Sequence, residues 1–250
     1  MLLQGKKILI MGIRNKWSIA WGAAQSAYEQ GAQIIFTYNS EENKPKIEKL
    51  MEEIPGSKAY SCNVSSDESI KICFETILKE NGKIDGILHA IAHANTEDLR
   101  NDFINTSRDG FSHACDISSY SLIAVSRIAS ELGLLNNNSS IVTLSYYGAE
   151  KNIEGYNVMG IAKAALESSV RYLTKDLGKN IIVANNIDVI HDHAVSIDKS
   201  LKRIKKYDIL KNSQYYFEKT YNHASKGELF LLKLTSKITR IILLIKYMID

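Results

Sequence analysis

Short apolar runs separated by charged amphipathic stretches set the rhythm of this chain. Ile8-Leu9-Ile10, within Lys7 to Met11, is a continuous apolar run of the kind a parallel strand covered on both faces requires. Comparable runs recur at Gln33 to Tyr38, Lys58 to Cys62, Ile84 to Ile91 and Ile141 to Leu144, and a sixth starts at Ile181. Between them the pattern becomes helical. A helix opens at Ser18, and a charged one runs from Lys46 to Ile54 and stops at Pro55-Gly56. Ser66 to Glu80 is the next, with Asp67 and Glu68 suited to the positive end of its dipole. A long helix is expected from about Phe111 to Leu132, and another from Ala162 to Leu177. Asn136-Asn137-Asn138-Ser139-Ser140 reads as a polar turn ahead of the fifth strand.

Composition narrows the class. A chain of 250 residues, 45% hydrophobic and 24% charged, has enough material for one large α/β domain. A net charge of +3 is too small to argue for nucleic acid. The cysteines Cys62, Cys73 and Cys115 are widely spaced and form no CxxC, so they read as core hydrophobes in a reducing cytoplasm. The N-terminus lacks the basic-then-apolar pattern of a signal peptide, and the apolar run Ile241 to Ile245 is far short of a membrane span. His191 and His193, with Asp188 and Asp192, have no third ligand marked elsewhere, so no metal is expected.

Chemistry concentrates at two strand-to-helix junctions. At the first, Gly12 ends a strand and Ser18-Ile19 open a helix, the arrangement that receives a pyrophosphate. It is not a full GxGxxG, because only Gly12 and Gly22 are present. At the second, residues 145–163 follow the strand ending at Leu144. Tyr156 and Lys163 are seven residues apart, almost two turns if both lie on one helix, so they would share a face. An ammonium beside a phenol favours the phenolate and eases proton donation. Tyr146 could point at the same spot. In a chain with 13 tyrosines, ordinary amphipathic residues are the competing reading.

Tyr-Asn-Val-Met-Gly-Ile-Ala-Lys at 156–163, with Leu-Ser-Tyr-Tyr-Gly-Ala-Glu at 144–150, closely resembles the bacterial enoyl-acyl-carrier-protein reductases, a branch of the short-chain dehydrogenases/reductases. That branch carries Tyr-x6-Lys with an upstream tyrosine, where the superfamily at large carries Tyr-x-x-x-Lys. Gly-x5-Ser-Ile-Ala-x-Gly at 12–22 and Asp-Ile-Ser-Ser-Tyr-Ser at 116–121 extend the likeness over Leu3 to Gly178. The resemblance implies a single Rossmann-type domain over 1–250, with a doubly wound parallel sheet of six to seven strands. It implies NADH-dependent reduction of an enoyl thioester on acyl carrier protein in fatty-acid elongation, by a homotetramer. Tyr156 would stabilise the enolate oxygen, Lys163 would hold the nicotinamide ribose, and Tyr146 would support the pocket. Gly12, Ser18, Ile19, Asn39, Asn63, Val64 and Ile91 would contact the cofactor, and Ala94 would line the acyl pocket. Asn63 stands where the family has an aspartate facing adenine. Asn39-Ser40-Glu41-Glu42 offers no base to a 2′-phosphate, which favours NADH over NADPH, although Lys44 is near. His93 replaces a residue that is usually apolar or aromatic and receives no role.

Beyond Gly178 the likeness is poor. Asp192 falls where an isoleucine meets the nicotinamide amide, and Ala194 replaces a phosphate-binding threonine. Residues 195–225 are the expected substrate lid, with Lys199, Lys202, Arg203, Lys205, Lys206 and Lys211 placed to steer an acidic carrier protein. Lys237 and Arg240 stand where the family has glycines. Two other readings therefore stay open. One is a non-catalytic copy retaining the fold; the other is a different short-chain dehydrogenase/reductase acting on a ketone or alcohol.

Overall fold

The protein was analysed as a computed structural model, which describes residues 1–178 and 181–183. Contacts divide the chain into two units, Met1–Asn186 and Ile187–Asp250, and the description concerns the first. The lid at 195–225, residues 188–194 and the tail lie outside the described residues.

Six strands form one sheet in the order β3-β2-β1-β4-β5-β6: β1 Lys7–Met11, β2 Gln33–Tyr38, β3 Lys58–Ser61, β4 Ile84–His89, β5 Leu135–Thr143 and β6 Ile181–Val183. Every pairing is parallel. This is the doubly wound order, with its reversal between β1 and β4. The strands read as continuous apolar runs because both faces are covered. Leu9 and Met11 point into one core with Ile35, Ile87 and Ile141. Ile10 points into the other with Ile34, Phe36 and Leu88. The second core is closed by α1 (Ile19–Glu29), whose Trp21 ring lies 6.2 Å from Phe36, and by α2 (Lys44–Met51) through Ile47. The first is closed by α3 (Asp67–Asn81), α6 (Ser121–Glu131) and α7 (Asn157–Leu177). Ser66 caps α3 by accepting from the Ser69 N–H at 3.2 Å, and Asp67 and Glu68 lie in its first turn.

Two short elements, α4 (Thr96–Arg100) and α5 (Arg108–Cys115), lead into the long helix expected over 111–132. That helix is interrupted. Residues Asp116–Tyr120 form a wide π turn between α5 and α6, the single-turn insertion often found at working sites. The expected polar turn at 136–140 is instead part of β5. Ile84 pairs with Leu135, yet Gly86 pairs with Ser140, so three extra residues bulge from β5. Asn138 takes a left-handed φ of 62°, which asparagine tolerates. Asn136 ties the bulge down by donating to Asp85 at 3.1 Å. Among the described residues no helix is long and apolar enough to cross a membrane.

Candidate active site

The C-terminal ends of β1, β4 and β5 face the N-terminal ends of α1 and α7, and all the sequence-predicted site residues of the described region lie along this edge or beside β2 and β3. At the switch point Gly12 has φ +91°, and a Cβ there would sit 2.2 Å from the Ala90 carbonyl oxygen. Only glycine lets β1 end so close to the chain leaving β4. Ser18 occupies the N-cap of α1 but makes no capping bond; its hydroxyl donates to the Asn15 carbonyl at 2.6 Å. The N–H groups of Ile19 and Ala20 therefore have no acceptor among the described residues. Open amides on an 11-residue helix, beside a glycine that no Cβ could replace, suit a pyrophosphate.

The adenosine side is polar and exposed. Asn39 accepts from Asn43 at 2.7 Å. Lys44 is held 4.0 Å from Glu41, which also accepts from the Tyr38 hydroxyl at 3.3 Å, and Lys46 donates to Asn43 at 3.1 Å. Asn63 accepts from the Ser65 N–H at 3.1 Å and keeps a second lone pair outward. Val64 is buried, and Ile91 packs half-buried on the first core.

The tyrosines meet. The Tyr146 and Tyr156 rings lie 4.7 Å apart, edge to face at 61°. Tyr147 instead points to solvent, so of the tandem pair Tyr146 is the one that faces Tyr156. Gly148 makes room for the contact, since a Cβ there would lie 2.5 Å from the Tyr156 ring. Tyr156 is the N-cap of α7 rather than a residue within it, and the helix starts at Asn157, five residues before the expected Ala162. Asn157 adopts φ +36° and donates to the Leu99 and Asn101 carbonyls, which fixes the entry of the chain. The other side of the Tyr156 ring rests on an apolar cluster containing Ala94, Ala114, Val158, Met159 and Ala162.

Lys163 is buried, 6% exposed, and donates to the Leu144 carbonyl at 2.6 Å. Burial lowers its pKa to about 8, against an opposing pull from Glu167. Tyr156 is not poised as a phenolate. Burial first, and then Tyr146, push its hydroxyl up to about 12. The expectation that Lys163 eases ionisation of Tyr156 finds no support: burial and Tyr146 set the shift, and the phenol stays a neutral O–H donor across physiological pH.

His89 went unused in the sequence. It is fully buried between Ser121 (2.9 Å) and Thr143 (3.0 Å), tying β4 and β5 to the start of α6. Burial and the nearby Lys163 lower its pKa to about 3, so it is neutral. The only sequence signal was a histidine inside an apolar strand, which predicts burial but no partner. His93, also assigned nothing, bonds His113 through Nδ1 and Nε2 at 2.8 Å. The described residues hold no cluster of three or more metal-ligating side chains.

The sequence matches the family described as enoyl-(acyl carrier protein) reductase over residues 12–213. It is 46% identical over 188 residues to the NADH enoyl-acyl-carrier-protein reductase of Bacillus cereus, covering 74% of this chain and 73% of that protein. It is 47% identical over 187 residues to the NADPH enzyme of Staphylococcus aureus, covering 74% and 72%. Among solved structures it superposes with TM-score 0.69 on the Anaplasma phagocytophilum reductase in complex with NAD, at 42% identity over 72% of this chain and 68% of that one.

Proposed function

That this chain belongs to the enoyl-acyl-carrier-protein reductase family is the premise from which we propose its activity. It reduces a trans-2-enoyl thioester on acyl carrier protein to the saturated acyl thioester with NADH, in fatty-acid elongation. Bound nicotinamide supplies the hydride, which goes to the β-carbon while a proton reaches the α-carbon.

The remaining roles follow from the side chains. Gly12, Ser18 and Ile19 form the pyrophosphate cradle, and Asn39, Asn63, Val64 and Ile91 flank the rest of the dinucleotide. Tyr156 donates a hydrogen bond to the thioester oxygen as it gains enolate charge. Such a donor is worth most in a water-poor site, where it costs no reorganisation. A phenol raised to about 12 is suited to that task and unsuited to acting as a base. Tyr146 holds the Tyr156 ring, and Lys163, anchored on Leu144, carries positive charge to the ribose hydroxyls. Ala94 borders the acyl pocket. The pairing of Lys44 with Glu41 favours a free 2′-hydroxyl, hence NADH over NADPH. A homotetramer in a reducing cytoplasm completes the reading, consistent with the free cysteines Cys62, Cys73 and Cys115.

The observation that carries this reading is the Tyr146–Tyr156 contact, with Lys163 buried on α7 and anchored on Leu144. The test is binding followed by turnover. NADH should raise the thermal transition of the chain more than NADPH does, and crotonyl-acyl-carrier protein should then consume NADH. Binding without turnover, or no binding to a folded chain, would favour the non-catalytic copy that the substitutions at 188–194 suggest. Turnover of a ketone in place of the enoyl thioester would point to the other dehydrogenase/reductase class.

A further inference from the structure

His93 lies in the segment leaving β4, and His113 lies on α5. Their rings meet edge to face, centroids 5.0 Å apart at 87°, with Nδ1 and Nε2 in hydrogen-bond contact at 2.8 Å. Such a bond needs one N–H and one lone pair. One extra proton can be shared across it, but two place N–H against N–H and break it.

The position of the pair gives the bond a consequence. Ala94 follows His93 and Ala114 follows His113, and these two alanines belong to the cluster that supports the Tyr156 ring. Ser118, in the π turn, binds the His93 backbone twice, accepting from its N–H at 3.0 Å and donating to its carbonyl at 3.1 Å. One side-chain contact and one serine thus hold the 92–95 segment against α5, directly behind Tyr156.

We propose that His93 and His113 are a positioning pair for Tyr156: their imidazole–imidazole bond clasps the two backbone segments that flank its ring, and double protonation opens the clasp. The inference rests on the reductase reading for its kinetic part only.

The charged surroundings favour opening in acid. Arg14, on the β1–α1 loop, acts on His93 in the same sense as His113, and with burial as the largest cause they hold the His93 pKa below its ordinary 6.5. Asp109 and Asp116, four residues before and three after His113, are the carboxylates nearest to it along the chain. Because the folded value of His93 is depressed, its contribution is complete above about 6.5 and is lost as pH falls through the lower folded value.

The experiment pairs kinetics with nitrogen shifts. Wild-type kcat for a crotonyl thioester should fall about fivefold from pH 7.5 to 5.5, the order of one net hydrogen bond, beyond any loss that the variants share. His113→Gln keeps an acceptor for the His93 imidazolium but cannot itself charge, so it should match wild type at pH 7.5 and lose the acid limb. His113→Leu should be slow at both pH values. A purely structural histidine would leave the limb in place in His113→Gln. Imidazole nitrogen chemical shifts of the ligand-free chain supply a readout independent of activity. The His93 nitrogens should show an acid step that breaks the bond to His113, and that step should shift or vanish in His113→Gln. If the chain turns over no enoyl thioester at any pH, the reductase reading fails and the shifts alone decide the clasp. A His93 acid step unchanged in His113→Gln, or an acid limb that persists in that variant, would overturn it.

Discussion

Replacing Lys163 by methionine keeps an unbranched side chain one atom shorter and removes its charge, and the structure gives the outcome a sign. Burial takes the ammonium from its ordinary 10.5 to about 8. At about 1.4 kcal/mol per tenfold, keeping it charged at neutral pH costs the fold about 3 kcal/mol. Against this, methionine leaves the Leu144 carbonyl without its 2.6 Å donor, a loss of about 1–3 kcal/mol for a buried acceptor. The two nearly cancel, so Lys163→Met should be as stable as wild type at pH 7 or up to about 2 kcal/mol more stable. The pH dependence separates the contributions. The folded pKa lies below the unfolded one, so the wild-type contribution is complete above 10.5 and is lost as pH falls through about 8. Wild-type stability, measured by urea unfolding at pH 7.5, 8.5 and 9.5, should therefore rise relative to the variant as pH increases. Activity should fall by about 100-fold or more, as expected when the group that positions the nicotinamide ribose is lost. A variant that loses more than about 1 kcal/mol at pH 7 with an unchanged m-value, or one that tracks wild type across the pH series, would refute the reasoning. Lys163 would then be a structural lysine.

Gly148→Ala places a methyl 2.5 Å from the Tyr156 ring; overpacking of about 1–3 kcal/mol should appear in denaturation, with a kcat loss of tenfold or more and little change in NADH affinity. Gly12→Ala meets the Ala90 carbonyl at 2.2 Å with φ +91° and should abolish the NADH-dependent thermal shift; a retained shift would remove Gly12 from the cradle. His89, lowered to about 3, contributes stability that is complete above about 6.5 and lost as pH falls toward 3. Wild type should therefore lose roughly 2 kcal/mol more than His89→Gln between pH 6.5 and 4.5, and equal slopes in urea titrations would assign the acid sensitivity elsewhere.

The strands were legible because a doubly covered parallel strand leaves a distinctive apolar run, as at Ile8-Leu9-Ile10 and Ile34-Ile35-Phe36; their order in the sheet is set by the pairings alone. The bulge at Asn136–Asn138 was not, since a polar excursion within a strand has the composition of a turn; only the pairing of Leu135 with Ile84 distinguishes them. The interruption at Asp116–Tyr120 carries no glycine or proline to announce it. In the candidate site the residue identities were legible and the energetics were not. Tyr156 and Lys163 could be named from their spacing, but whether burial or charge dominates the phenol depends on Gly148, Tyr146 and Ala114, which the chain brings together from distant positions. The His93–His113 contact is likewise tertiary, joining residues twenty apart through no shared periodicity.

The π turn has a further consequence, for insertions and deletions. One surplus residue in that turn sets the rotational phase of everything after it, as a shim sets the angle of a shaft. Each residue of an α-helix advances about 100°. Removing one of Asp116–Tyr120 would thus swing Leu122, Val125 and Ala129 a quarter turn or more off the first core, and would carry Ser121 away from His89. The segment tolerates exchange of side chains far better than any change in their number.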